Sequence, residues 1–336
     1  MKSLTMFWIS ILMFISSPYV IHSQPGVDFP IILNLQHASG PEDTAIDPLD
    51  QGIYTGVTDG RILKYLNGNF NDFATTSPYR TKEKCDGINI TNIRAECGRP
   101  LGLDFDHARG VLYVTDMFYG LLKVERNNGG LATQLAAGVN GRNFSFIDAV
   151  AVDELTADVY FIDAGDIFRS LNYTQIVQSG DTSGRLLKYS AAKGQVTVLL
   201  NGLSGPAGMA TDIDQTFIMI SEYIGRRIIK YFISGPKANT TQTVMENLEG
   251  YPDNVKRGTL GGFWVALNIP KPQQQPPPPI PMTDSIAVNF DMDGNIVNTK
   301  NVTDTFPNSF SGYQEYSDIA YVGSLLSDFV AVYTAI

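Results

Sequence analysis

The feature that most constrains the fold is a five-residue phrase that the chain repeats. It occupies residues 61–65 (RILKY) and returns at residues 185–189 (RLLKY) and 227–231 (RIIKY), with a fainter copy at 120–124 (GLLKV). A short distance before each copy lies another run rich in β-branched and aromatic residues, as is typical of strands. The chain therefore repeats a unit that contains at least two strands and a turn.

Six units can be counted from an aromatic residue in each of these runs. The residues are Tyr54, Tyr113, Tyr160, Phe217, Phe263 and Tyr321, which lie 46 to 59 residues apart. No stretch shows the 3.6-residue apolar spacing of a helical repeat. Units of this length with four short strands are typical of propeller blades. The sequence predicts an all-β, six-bladed β-propeller, a single domain over residues 24–336, in which a strand within residues 27–36 closes the last blade.

The first 23 residues have the pattern of a signal peptide. Lys2 supplies the positive start, and residues 6–15 are almost all apolar. This run is shorter than the about 20 residues that span a bilayer. No second apolar run of spanning length follows, so we expect a mature protein without a membrane span that enters the secretory pathway.

Five glycosylation acceptors and one cysteine pair agree with that route. The Asn-x-Ser/Thr acceptors are Asn89, Asn143, Asn172, Asn239 and Asn301. Behind a signal peptide, they predict surface glycosylation. Cys85 and Cys97 are the only cysteines and are separated by polar, turn-like sequence. In an oxidising lumen this predicts a local disulfide, and the alternative is two free buried thiols.

Charge and proline content limit the partners. The formal net charge of −10 argues against nucleic acid, whose binding needs clustered Lys and Arg. Residues 270–281 contain four consecutive prolines, at 276–279, and predict a polyproline II loop. The alternative is a Pro-rich recognition ligand. Nothing in the pattern addresses the oligomeric state.

Signatures of common enzyme classes are absent from the sequence. There is no Gly-x-Ser-x-Gly elbow, no His-Glu-x-x-His pair and no phosphate-binding loop. Acidic and amide residues instead recur at the starts of the repeats: Glu42, Asp148, Asp253 and Asn254. In a propeller these positions converge on the central channel, where their oxygens would suit calcium. The alternative is that they bond their own backbone in turns.

Several phrases together make the chain resemble the strictosidine synthase-like family of plants. They are residues 74–79 (ATTSPY), the Cys85 and Cys97 pair running into Gly98-Arg99-Pro100, and residues 183–189 (SGRLLKY), 234–237 (SGPK) and 321–325 (YVGSL). The resemblance covers nearly all of the mature chain. It implies a propeller with a disulfide in its first blades, a secretory route often ending in the vacuole, and an axial pocket for small molecules. We expect the mature protein in the vacuole or, alternatively, outside the cell.

The family's named enzyme, which acts in alkaloid biosynthesis, condenses tryptamine with secologanin to give strictosidine. The resemblance implies a glutamate base in the pocket, because the amine must lose a proton to attack the aldehyde. Matching Phe310 and Tyr321 without a gap places Ser311 at that glutamate and Ser309 at its neighbouring histidine. A serine hydroxyl is too weak a base for this step. Glu315, four residues further on, is the other catalytic candidate.

The chain is more distantly similar to calcium-dependent lactone and ester hydrolases of the paraoxonase and gluconolactonase type. That similarity implies an ion held by the four residues Glu42, Asp148, Asp253 and Asn254, which would polarise a carbonyl. Ala207 departs from the pattern, because an asparagine is usual there. Three hypotheses follow: a strictosidine synthase-like enzyme acting on a small plant metabolite, a calcium-dependent hydrolase, and a non-catalytic binding propeller.

Overall fold

The computed structural model of the protein describes residues 29–50, 52–272 and 281–334. Within these ranges the chain is almost entirely β-structure, arranged as six sheets of four or five strands and one small hairpin. The predicted all-β class and six-bladed propeller are confirmed. The predicted signal peptide, residues 1–23, lies outside the described residues.

The first three blades follow one another in chain order. After β1 (Ile31–Asn34), blade one comprises β2 (Thr44–Asp47), β3 (Gly52–Gly56), β4 (Arg61–Leu66) and β5 (Asn69–Thr75). Blade two comprises β6 (Pro100–Asp106), β7 (Val111–Asp116), β8 (Gly120–Glu125) and β10 (Thr133–Ala136), while the short β9 (Gly130–Leu131) joins the edge of blade one. After the hairpin β11 (Gly138–Val139) and β12 (Arg142–Asn143), blade three comprises β13 (Ile147–Asp153), β14 (Asp158–Asp163), β15 (Gly184–Ser190) and β16 (Gln195–Leu203).

The remaining blades repeat the same order of strands. Blade four comprises β17 (Pro206–Thr211), β18 (Phe217–Glu222), β19 (Arg227–Phe232) and β20 (Thr241–Met245). Blade five comprises β21 (Tyr251–Arg257), β22 (Phe263–Pro270), β23 (Thr283–Phe290) and β24 (Ile296–Asn301), and blade six begins with β25 (Gly312–Tyr316), β26 (Ile319–Gly323) and β27 (Phe329–Thr334). The helical segments of the described ranges are α1 (Lys82–Cys85), α2 (Tyr173–Gln178) and 3-10 turns at Ile90–Asn92 and Asp166–Ser170.

The first strand of each blade lines the central channel. The six first strands contact one another in ring order, and the last, β25, returns to β2. Glycines permit this close approach: a Cβ at Gly102 would lie 2.4 Å from the carbonyl oxygen of Asp148, and one at Gly208 would lie 2.4 Å from the backbone nitrogen of Val255. A larger residue at either position would therefore push adjacent blades apart.

The second strand of each blade carries the aromatic residue from which the units were counted. Tyr54 in β3, Tyr160 in β14 and Phe263 in β22 are all buried. β3, β7, β14 and β18 are buried along their whole length. Apolar clusters on both faces of the blades explain why these strands appear as continuous apolar runs.

The repeated phrase forms the third strands β4, β15 and β19. Its arginines pair with acidic residues at or just beyond the ends of the second strands of their own blades: Arg61 with Asp59 at 2.6 Å, Arg185 with Asp163 at 2.5 Å, and Arg227 with Glu222. Its lysines lie over the aromatic anchors, as Lys64 does over Tyr54 at 5.2 Å. The phrase therefore stabilises each blade internally, as its repetition suggested.

Blade six is built from both ends of the described chain. β1 pairs with β27 in antiparallel register, with Ile31 opposite Val332 and Asn34 opposite Phe329. The predicted closing strand is thus confirmed, over a shorter range than residues 27–36. Its backbone hydrogen bonds join the amino-terminal segment to the last sheet.

Several smaller predictions can be placed on this fold. The disulfide between Cys85 and Cys97 is present. All five acceptor asparagines are exposed, and their glycosylation stays a prediction. The Pro-rich loop over 270–281 joins β22 to β23, and residues 273–280 of it lie outside the described ranges. In the part of the chain that the structure describes, no helix has the length and apolar character needed to cross a bilayer.

Candidate functional site

Antiparallel pairing brings the starts of the first strands and the ends of the second strands to one end of the channel, here called the site end. Ile147 at the start of β13 is opposite Asp163, and Gly312 at the start of β25 is opposite Gly323. The candidate residues at this end are Glu42, Asp148, Asp253, Asn254 and Ser311. They come from blades one, three, five and six.

Glu42 and Asn254 meet across the axis. Nδ2 of Asn254 in blade five donates to Oε1 of Glu42 in blade one at 2.7 Å. The backbone nitrogen of Asn254 donates to the carbonyl oxygen of Ser311 at 2.9 Å, which adds blade six to the contact. Both Glu42 and Asn254 are buried, and Oε2 of Glu42 has no hydrogen-bond partner among the described residues. Three of the candidate residues thus form one buried cluster.

Asp148 and Asp253 complete the acidic set. Each is held through its carbonyl oxygen by a hydroxyl on the second strand of the preceding blade. The hydroxyl of Thr115 donates to Asp148, and that of Ser221 donates to Asp253 at 2.7 Å. Both bonds engage the backbone and not the carboxyl groups, and Asp148 is buried while Asp253 is half-buried.

Burial and mutual repulsion raise the pKa of these carboxyl groups. Burial, followed by the charge of Asp43, raises the pKa of Glu42 to about 7. Burial, followed by the charge of Glu42, raises the pKa of both Asp148 and Asp253 well above the usual range. A carboxyl group with a pKa near the ambient pH can accept and donate protons. The site end therefore has the composition of an acid–base centre.

Two cations that the sequence did not reveal, the buried Arg99 and the half-buried Lys256, also reach the channel. Nη1 of Arg99 donates to the carbonyl oxygen of Gly40 at 2.8 Å, and its side chain is buried. Nζ of Lys256 lies 2.7 Å and 2.8 Å from the two carboxylate oxygens of Asp43. Lys256 is two residues from Asn254 on β21, so strand alternation alone would have placed both on one face. For Arg99, the only signal was its place in the Gly-Arg-Pro phrase.

The two catalytic candidates lie at opposite ends of the last inner strand. Oγ of Ser311 accepts from the backbone nitrogen of Leu325 at 3.3 Å, at the site end. Oε2 of Glu315 accepts from the backbone nitrogen of Thr259 at 2.7 Å, in the turn between β21 and β22. Four residues of extended strand separate the two, or about 13 Å. The structure therefore brings Ser311 to the acidic cluster and places Glu315 near the far end of β25, bound to the turn between β21 and β22.

Aromatic residues lie at the same end as the acidic set. The rings of Tyr223 and Tyr251 stack with centroids 5.0 Å apart, and Phe168 meets Tyr223 edge-on at 6.2 Å. Tyr223 packs on a buried cluster from blades two and three: Leu101, Met117, Phe146, Ala164 and Phe168. Burial, followed by the charge of Asp253, raises the pKa of Tyr223. An apolar wall thus stands within electrostatic reach of the carboxyl groups.

The predicted calcium ligands do not fit a calcium ion as they are arranged. Oε1 of Glu42 is engaged by an amide nitrogen, and the buried side chain of Ala207 offers no oxygen. In the ranges that the structure describes, no three His, Cys, Asp or Glu side chains are grouped so that they could hold a metal ion. Calcium therefore stays a prediction from the resemblance, without support from the geometry.

A surface cleft of about 500 Å³ lies away from this cluster, and its lining includes Leu49, His107, Arg109 and Arg126. Its cations are already paired, since Arg109 lies 2.9 Å from Asp106 and Arg126 contacts Asp47. His107 likewise lies 2.7 Å from Glu154. The convergence of unpaired groups favours the site end of the channel as the functional site.

Comparison with known proteins identifies relatives over most of the chain. The strictosidine synthase domain pattern matches residues 148–236, and the strictosidine synthase-like amino-terminal pattern matches residues 32–65. Strictosidine synthase-like protein 12 of Arabidopsis thaliana is 36% identical, over 88% of this chain and 86% of the relative. Strictosidine synthase of Catharanthus roseus is 33% identical, over 87% of this chain and 82% of the relative.

Solved structures with the same fold are more distant in sequence. A gluconolactonase from Xanthomonas campestris superposes with a TM-score of 0.64 at 12% identity, covering 91% of this chain and 90% of that protein. A luciferin-regenerating enzyme superposes with a TM-score of 0.62 at 13% identity, covering 92% of this chain and 96% of that protein. At such identities the likeness concerns the fold alone.

Proposed function

Because the chain belongs to the strictosidine synthase-like family, we propose that it acts on a small plant metabolite at the site end of the channel. The observation that carries the proposal is the meeting of buried carboxyl groups with an aromatic, apolar wall. An apolar lining with a few converging polar groups is the usual composition of a small-molecule site. In this proposal the half-buried carboxyl of Asp253, beside Tyr223, transfers the proton.

The family's nominal condensation lacks its base in this chain. Ser311 holds the position at which the resemblance implies a glutamate, and its hydroxyl cannot take protons from an ammonium group or an indole ring. We expect wild-type protein to form no strictosidine from tryptamine and secologanin. If the Ser311→Glu variant forms strictosidine and the wild type does not, the site still accepts those substrates. Product from the wild type would contradict the role given to position 311.

A ligand screen followed by turnover assays tests the proposal. The purified protein is screened for thermal stabilisation by plant amines, aldehydes, lactones and esters, and stabilising compounds are then assayed for turnover by mass spectrometry. Asp253→Asn should lower turnover by about 10²-fold or more, as loss of a general acid or base does. Asp318→Asn is the matched control, because Asp318 is exposed in the turn between β25 and β26.

The two other hypotheses give different results in the same experiment. Turnover that a chelator abolishes would indicate the calcium-dependent hydrolase, and turnover that Asp253→Asn leaves unchanged would overturn the role of Asp253. Stabilisation by a metabolite without turnover would indicate the non-catalytic binding propeller. Each reading is distinguished without knowing the natural substrate in advance.

The compartment is proposed on separate grounds. Five exposed acceptor asparagines and a disulfide suit a secreted or vacuolar glycoprotein. Treatment of the protein from plant tissue with an N-glycosidase should lower its mass, and fractionation should recover it from the vacuole or the extracellular fluid. An unchanged mass and recovery from the cytosol would contradict the proposal.

A further inference from the structure

In the channel, Lys256 pairs with Asp43, and both carboxylate oxygens of Asp43 accept two hydrogen bonds. Besides the two contacts with Nζ of Lys256, Oδ1 of Asp43 accepts from the backbone nitrogen of Thr44 at 2.8 Å. Oδ2 accepts from the backbone nitrogen of Leu103 at 2.9 Å. The side chains of Lys256 and Asp43 are 12% and 2% exposed. Each oxygen of Asp43 thus has two donors, which leaves little capacity to coordinate a metal ion.

Arg99 is the second cation of the channel. The carboxyl groups that act on it most strongly are those of Glu42, Asp116 and Asp148. Its Nε and Nη2 have no hydrogen-bond partner among the described residues, so its charge is not neutralised by one close pair. The charge of Arg99 therefore acts on several acidic groups at once, as the charge of a bound calcium ion would.

β21 joins blade five to blade one at two successive inward positions. Asn254 contacts Glu42, and Lys256 contacts Asp43, so two neighbouring residues of blade one are both bound across the axis. Blade six lies between these blades in the ring. Bridging distant blades in this way is what a shared metal ion would otherwise do.

We propose that Arg99 and Lys256 supply the positive charge of a central calcium ion, and that Lys256 with Asn254 makes the bridging contacts, so that the channel is held together without a metal. Two monovalent cations carry the same charge as one Ca²⁺. Their charges offset part of the repulsion between Glu42 and Asp43, two adjacent buried carboxyl groups. The presence of these two cations also explains why the predicted calcium ligands do not fit a calcium ion. The proposal involves no substrate, so its test is independent of the test of the proposed function.

The first experiment uses the wild-type glycoprotein. After equilibration with millimolar CaCl2 and removal of free ions, elemental analysis should find far less than one calcium per chain. The Tm in CaCl2 and in EDTA should agree within about 1 °C, since a ligand that binds the native state raises the Tm. One calcium per chain, or a Tm several degrees higher in CaCl2, would overturn the proposal.

The second experiment removes one cation. Lys256→Met should lower the Tm by roughly 10 °C, because it leaves the buried carboxylate of Asp43 without its counter-charge. Lys256→Arg keeps a cation and should retain most of the Tm. Lys123→Met is the matched control, because Lys123 pairs with Glu125 at 3.0 Å on the surface. If Lys256→Met behaves like this control, the proposal fails, and if that variant does not fold, Lys256→Arg and the wild-type calcium measurement still decide.

Discussion

Lysine–carboxylate pairs occur both on the third strands of the blades and across the channel. On the third strand of blade two, Lys123 pairs with Glu125 in the same strand, with side chains that are 36% and 46% exposed. In the channel, Lys256 pairs with Asp43 from a blade that is not its neighbour, and their side chains are only 12% and 2% exposed. The repeated pairs stabilise one blade at a time, whereas the channel pair occurs once and joins the ring. Residues that break the repeat therefore carry the information about the site.

The largest expected effect separates these two kinds of pair. Asp43→Ala should lower the free energy of unfolding by about 3–5 kcal/mol, because it leaves the largely buried ammonium of Lys256 without a partner. Chemical denaturation of the wild type and the variant measures the difference. A cost below about 1 kcal/mol would show that the channel pair is equivalent to a surface pair.

The buried carboxyl groups should make the protein less stable as the pH rises. The pKa of Glu42 is raised from 4.5 to about 7, so the native state binds its proton more tightly than the unfolded state does. Its contribution is therefore fully present below about pH 4.5 and is lost as the pH rises through about 7, up to about 3 kcal/mol. Glu42→Gln should flatten that part of the profile. A wild-type-minus-variant difference that increases between pH 5 and 7 would contradict this assignment.

A smaller effect is expected from the amide that bridges the axis. Asn254→Ala should cost about 1–3 kcal/mol, because Oε1 of the buried Glu42 loses its donor. Asn201→Ala, at an exposed position in the outermost strand of blade three, is the comparison and should change stability by less than about 0.5 kcal/mol. Equal costs for the two variants would remove the distinction between axis and periphery.

The smallest effect should come from the exposed pair of the repeat. Glu125→Ala removes the partner of Lys123, and both side chains are more than a third exposed. Exposed pairs contribute about 0–1 kcal/mol, and salt screens them. Denaturation midpoints at low and high salt should differ little between this variant and the wild type. A cost of 2 kcal/mol or more would mean that the repeat pairs do more than stabilise single blades.

Much of the architecture was predictable because it depends on local patterns. The alternation of residues in strands and the length of the repeat predict the aromatic anchors, the spacing of the units and the closing strand. The disulfide was also predictable, because Cys85 and Cys97 have no other cysteine as a partner. The anchors, the spacing and the disulfide depend on residues near one another in the chain, and the closing strand follows from the need to complete the last blade.

The candidate site was predictable only in part. The resemblance placed five residues near the starts of four blades: Glu42, Asp148, the neighbours Asp253 and Asn254, and Ser311. It could not show that the amide of Asn254 faces Glu42, or that Glu315 accepts a hydrogen bond from Thr259 in the turn between β21 and β22. Those facts depend on side-chain direction across the ring, which strand periodicity alone does not determine.

The sequence by itself determined the number of blades, the ring and its closure, since repeated strands can bury their faces only against one another. The tertiary structure decided the contents of the channel. Asp43 and Lys256 are more than two hundred residues apart and meet only because the ring closes. Closure also buries Arg99 among carboxyl groups, and low exposure to water is what raises the pKa of Glu42. Electrostatics at the axis thus depends on distances that no local pattern contains.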